Sequence, residues 1–204
     1  MSYFKDLSFI IISFTFTYIL IAPGPPEESC NFIQNENNHR VSWDSPFVLN
    51  VDKTVPKEFN ESIIFSVKTW NKAIGYDLIK LSFYDEDSRN NIYFLEKWKK
   101  EKNKQAITVT EWRRRNIVKV NIFINSDNYL FSKKYPEKNR VNMESLLIHE
   151  LGHAIGFDHI LESFSVMNPR LPNGYRRVNL GSLELSSLNC EYKNKKTLSS
   201  IINL

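Results

Sequence analysis

Four histidines occur in the 204 residues, and three of them stand in one stretch, HELGHAIGFDH, from His149 to His159. His149 and His153 are four apart, so a helix places both rings on one face, one turn from each other. From that separation two imidazole nitrogens can bind one zinc ion, and imidazole ligands favour zinc over magnesium or calcium. Glu150 adjoins the first histidine, a position from which its carboxylate can reach a water beside the ion. Gly156 is expected to end the helix, because glycine readily takes the left-handed conformation that turns the chain sharply. His159, three residues on, then returns to the same metal. Three neutral imidazoles leave a tetrahedral Zn2+ one position for water, the arrangement of metal-assisted hydrolysis. Gly152 inside the helix costs about 1 kcal/mol against alanine, which points to close packing on its face.

The stretch resembles the metzincin pattern HExxHxxGxxH followed by a methionine turn. The second part is present as SVMNP, with Met167. Among metzincins the chain is most similar to the matrixins, the matrix-metalloproteinase-like group. The residues that carry this likeness are VNMESLLIHELGHAIGFDH, the Met-x-Pro of Met167–Pro169, and TVTEW with VKVNIFIN, which resemble the paired strands before the active-site helix. The likeness spans roughly Trp43 to Tyr192. It implies a zinc-dependent endopeptidase with one catalytic Zn2+ held by His149, His153 and His159. Glu150 would take a proton from the attacking water and pass it to the leaving amine. Met167 would form a hydrophobic floor under the metal, and Gly156 would support the turn. The edge strand at Ala106, Ile107 and Thr108 would pair with an extended polypeptide substrate. The segment Pro169 to Leu171 would line the pocket for the residue after the scissile bond.

Some residues depart from the matrixin pattern. Ile160 follows the third histidine where matrixins commonly have serine, and Leu171 stands where many have tyrosine. No second histidine set exists for a structural zinc, and EESCNF does not match the cysteine-switch pattern. Two other readings stand beside the peptidase: a non-catalytic zinc-binding surface or interaction protein that retains the metzincin fold, and a hydrolase of non-peptide amides. Glu150 speaks against the first, since it is not a ligand in this pattern.

A site of this kind needs elements that hold three rings together. NMESLLIHELGHAIG begins with Asn142, a good helix cap, and Glu144 favours the positive end of the helix dipole. Upstream, Ser45–Asp52, Asp77–Asp85, NNIYFLE, QAITVTEW and NIVKVNIFIN read as strands. Phe59, Ile63, Val67, Trp70 and Ile74 recur at helical spacing between Pro56 and Gly75. A short helix is expected near LGSLELSSLNC. The fold class is α+β: a metzincin-like catalytic domain with a twisted, mixed five-stranded sheet, a long helix, an active-site helix and a C-terminal helix. Its expected bounds are 30–192, preceded by a leader and short linker at 1–29 and followed by a polar tail at 193–204.

The net charge of +4 is too small to argue for nucleic acid. Leu7 to Ala22 is uncharged and mostly apolar, short for a membrane span and close to the core of an export signal. A cleaved signal with a secreted or cell-envelope product is one reading; an uncleaved membrane anchor is the other. Cys30 and Cys190 suggest a disulfide in an oxidising compartment, with two separate thiols as the alternative. Tyr84 to Ser88, YDEDS, reads as a solvated acidic loop rather than a structural Ca2+ site. A polypeptide substrate and a monomer complete the expectation.

Overall fold

A computed structural model describes residues 30–202; the apolar run read as a leader lies outside them. The five stretches with strand periodicity form β1 (Phe47–Val51), β2 (Ile79–Phe83), β3 (Asn91–Leu95), β4 (Ala106–Arg113) and β5 (Asn116–Asn125). They make one sheet in the order β2-β1-β3-β5-β4, with only β4 antiparallel to its neighbour. The sheet is therefore mixed, and β4 is left at an edge. Along β5, Ile117 is buried, but so are Val120, Ile122 and Ile124, which lie on the other parity. A register shift opposite Glu111 and Trp112 accounts for this: one extra residue on β5 resets which side chains face the core.

Helix α1 (Asn60–Ile74) follows a 3-10 turn at Lys57–Phe59. The five apolar residues at helical spacing, Phe59 to Ile74, are all buried, and Gly75 ends the helix at φ 89°. Helix α2 (Met143–Ala154) packs against α1. Trp70 on α1 donates its indole N–H to the Ile148 carbonyl at 2.9 Å, and Ser66 reaches the Glu144 carbonyl at 3.3 Å. These bonds fix the depth at which α2 sits over the sheet. A parallel pair of two-residue strands, β6 (Phe131–Ser132) and β7 (Val141–Asn142), leads into α2. Strands that short carry no readable periodicity, and the sequence gives no sign of them.

Helix α3 spans Ser182–Ile202. The stretch 193–204, expected as a polar tail, is thus helical as far as Ile202. Its lysines offer no apolar face, which is why the pattern reads as a tail. The ordering partner is polar: Lys195 donates to the Ser42 hydroxyl (2.6 Å), the Trp43 carbonyl (3.1 Å) and the Asp44 carboxylate (3.0 Å). One turn back, the Glu191 carboxylate accepts from Arg40 and Ser42. Tyr192, fully buried, donates to the Ile155 carbonyl at 2.7 Å just past α2.

Cys30 and Cys190 are disulfide-bonded, with Cα atoms 6.0 Å apart. The bond anchors a segment that runs along the end of α2: Phe32 bridges to Phe157, and Asp158 donates its N–H to the Asn31 carbonyl. Trp43 donates to the Ala154 carbonyl at 2.8 Å. Among the described residues, no helix is long and apolar enough to cross a membrane.

Candidate active site

Helix α2 starts where the sequence places its cap. The Asn142 side-chain Oδ1 accepts from the N–H and hydroxyl of Ser145, at 3.1 and 3.0 Å, while its side-chain Nδ2 donates to the Lys133 and Lys134 carbonyls. Glu144 does more than complement the dipole. It is 4% exposed and held by Arg176 at 2.6 Å, a partner that sequence spacing does not reveal. After Ala154 the chain turns through Gly156 at φ 102°. A Cβ there would run into the Val41 carbonyl, so both the backbone and the space demand glycine. This turn carries His159 back towards the helix.

The three histidines converge. Nε2 of His153 lies 3.1 Å from Nε2 of His149 and 3.2 Å from Nε2 of His159. Nδ1 of His149 is 2.8 Å from the Val166 carbonyl, and Nδ1 of His153 is 2.9 Å from the Phe157 carbonyl. A carbonyl only accepts, so each Nδ1 must carry the proton and each Nε2 must present a lone pair. Lone pairs aimed at one another repel unless a cation stands between them. A proton is disfavoured in that role, because burial and the neighbouring His153 push the His149 imidazole down to about 3. Burial likewise lowers His159. A metal ion fits: tetrahedral zinc with Zn–N bonds of about 2.0–2.1 Å sets its ligands about 3.3 Å apart. Among the described residues, these three histidines are the one group of His, Cys, Asp and Glu close enough to hold a metal.

Another close packing lies on helix α2. Met167 is fully buried, and a Cβ on Gly152 would overlap its sulfur and crowd the Trp70 ring. The helix glycine is therefore explained by the methionine that packs against it. Ahead of Met167, Glu184 on α3 accepts from the Ser165 hydroxyl (2.5 Å) and the Val166 N–H (3.1 Å), and from Gly181 N–H at 2.8 Å. Val166 in turn carries the carbonyl that orients His149. Arg177 bonds the carbonyls of Ser163, Asn168 and Arg170, at 2.8, 3.2 and 2.9 Å, holding the rest of this loop.

Glu150 lies 5% exposed beside the triad and outside its donor group. Burial pushes its carboxyl up, against the opposing pull of His153 and of the Thr108 hydroxyl, which donates to Oε2 at 2.6 Å. A cleft of about 630 Å3 runs past the triad. Ala106, Ile107 and Thr108 line one wall on the edge strand β4, and Pro169 and Leu171 line the other. Gln105 spans the gap, donating to the Leu171 carbonyl at 3.0 Å.

The site thus brings together His149, His153, His159, Glu150, Gly156 and Met167, with both cleft walls around them. His39 takes no part and belongs to a surface turn with Asn35. In Tyr84–Ser88, Asp85 accepts from the Asp87 N–H and Glu86 pairs with Lys53. Sequence reasoning missed Glu184, Arg176, Arg177 and the side chain of Thr108. A glutamate in the first turn of the helix that follows Gly181 is the only local hint for Glu184; the arginines and the Thr108 hydroxyl have none.

A family model described as Matrixin matches residues 47–186. A comparison with curated proteins found no match.

Proposed function

Since the chain belongs to the matrixin family and carries that family's histidine triad, it is a zinc metalloendopeptidase, and we propose that it is exported and that Glu150 moves the proton in peptide hydrolysis. The observation that carries this reading is the convergence of three histidine Nε2 atoms beside a buried carboxylate.

Zinc held by His149, His153 and His159 would supply Lewis acidity, acidifying the attacking water and polarising the scissile carbonyl. The remaining work falls to the chain. Glu150 accepts the proton of the attacking water; its raised affinity for protons in a buried setting makes that transfer less uphill. The same carboxyl then delivers the proton to the leaving amine. The Val166 and Phe157 carbonyls keep His149 and His153 in the one tautomer that can bind the ion. An extended polypeptide enters along β4, whose open edge offers main-chain partners, and a side chain enters between β4 and Pro169–Leu171. The disulfide and the apolar leader-like run support export, since such bonds persist in oxidising compartments.

The test uses the chain lacking residues 1–29. It should cleave an unstructured protein, and a chelator should stop the cleavage. Glu150→Ala should abolish cleavage while keeping about one zinc per chain, because the carboxylate serves the water and not the metal. Full activity in that variant would remove Glu150 from the mechanism.

A further inference from the structure

Thr108 touches both sides of the reaction. The Gln105 carbonyl accepts from Asn125 N–H at 2.9 Å, so these two residues form a bonded pair of the β4–β5 ladder. Bonded and non-bonded pairs alternate along an antiparallel ladder. Ala106 and Thr108 therefore turn their own N–H and C=O groups away from β5, towards the open edge of the sheet. The Thr108 side chain meanwhile meets α2. Its hydroxyl lies 2.6 Å from Oε2 of Glu150 and 3.2 Å from the Glu150 carbonyl. Glu150 is 5% exposed, so bulk water does not compete for that oxygen. Threonine is also stiff about χ1 and suits a strand, so the hydroxyl is delivered in one place.

We propose that Thr108 is a positioning residue for peptide hydrolysis: its hydroxyl occupies Oε2 of Glu150 and leaves Oε1 as the oxygen that exchanges protons with water and leaving group, while its backbone pairs with the substrate. A carboxylate with both oxygens free can rotate between several orientations. With one oxygen engaged, a single orientation faces the cleft. Substrate pairing on the edge strand and orientation of the base are thereby joined in one residue. This inference rests on the peptidase reading above.

Thr108→Val keeps the shape and strand preference but removes the donor; Thr108→Ser restores it. With the zinc-loaded chain and one peptide substrate, Thr108→Val should lower kcat about 10- to 100-fold, as loss of a group that orients the reacting machinery typically does. KM should change less than about threefold, and zinc content not at all, since no backbone partner or metal ligand is altered. Thr108→Ser should recover most of the loss. A Thr108→Val kcat within twofold of the parent, a loss confined to KM, or a serine variant as poor as the valine one would overturn the assignment. Crystal structures of the zinc-loaded parent and of Thr108→Val give a readout that does not depend on turnover. The parent should keep the Oγ1–Oε2 bond, and the valine variant should show Glu150 reoriented or in several orientations; a zinc-loaded parent with Glu150 turned away from Thr108 overturns the proposal. A parent that cleaves nothing ends the peptidase reading and this inference with it, whereas a cleaving parent with an indifferent valine variant ends this inference alone.

Discussion

Replacing Glu184 by alanine tests whether the metal site is built from α3 as well as from α2. The carboxylate is fully buried and takes three bonds, from Ser165, Val166 and Gly181. Ser165 and Val166 are themselves 0% and 1% exposed, so neither can turn to water. Each buried donor left without a partner costs about 1–3 kcal/mol, which puts the loss near 4 kcal/mol for the two. Gly181 is only partly buried and can be hydrated. Glu184→Gln keeps an acceptor for Ser165 and Val166 but turns an amide donor towards Gly181, for a loss of about 1 kcal/mol. For a chain of this size each kcal/mol corresponds to about 2–4 °C in Tm. The alanine variant should thus melt about 8–16 °C below the parent, and the glutamine variant about 2–4 °C below. Because the Val166 carbonyl orients His149, zinc affinity should fall about 10- to 100-fold in the alanine variant. Thermal melting of the metal-free proteins and competition with a chelating dye give the two numbers. If alanine and glutamine variants match, or the alanine variant binds zinc as the parent does, the route from α3 to His149 is refuted.

Removing the disulfide with Cys30→Ser and Cys190→Ser opens a loop of 160 residues, worth about 5 kcal/mol on the chain-entropy model. Thermal melting should drop by roughly 10–20 °C; an unchanged midpoint would contradict the bond's role. Gly156→Ala forces a side chain into a left-handed turn against the Val41 carbonyl, so it should destabilise by at least about 2 kcal/mol and weaken zinc binding through His159. Urea unfolding and zinc titration check both, and a variant as stable as the parent would show that the turn can relax. In metal-free protein the His149 imidazole stays neutral until about pH 3, while in the unfolded chain it takes a proton near 6.5. The unfolded state then binds more protons, so stability present above pH 6.5 is lost as pH falls towards 3, by up to about 1.4 kcal/mol per unit. Urea midpoints measured between pH 7 and 4 should fall more steeply for the parent than for His149→Gln; equal slopes would contradict the shift.

The sheet and α1 were readable because their signals are periodic. Val120 and Ile122 alternate with Lys119 and Asn121, and Ile63, Val67, Trp70 and Ile74 repeat at helical spacing. The triad was readable for a related reason: its members are close in the chain, so helix geometry and one glycine turn suffice to bring them together. Asn142 and Gly156 are local devices too, one capping and one turning. What stayed hidden depends on pairings between distant residues. Thr108 meets Glu150 across 42 positions, Arg176 meets Glu144 across 32, and Glu184 meets Val166 across 18. None leaves a repeat or a spacing rule in the sequence. The length of α3 was hidden for another reason: beyond Tyr192 it is lysine-rich, and its anchorage comes from Lys195 meeting Ser42, Trp43 and Asp44 at the other end of the chain.

The most direct test of the account is a zinc titration of the folded chain, joined to X-ray absorption at the zinc edge. One ion per chain should bind, with three nitrogen donors at about 2.0–2.1 Å and a lighter oxygen neighbour, and His153→Gln should lose that binding. No binding, or an ion held equally well without His153, would contradict the claim that the three Nε2 atoms form one metal centre.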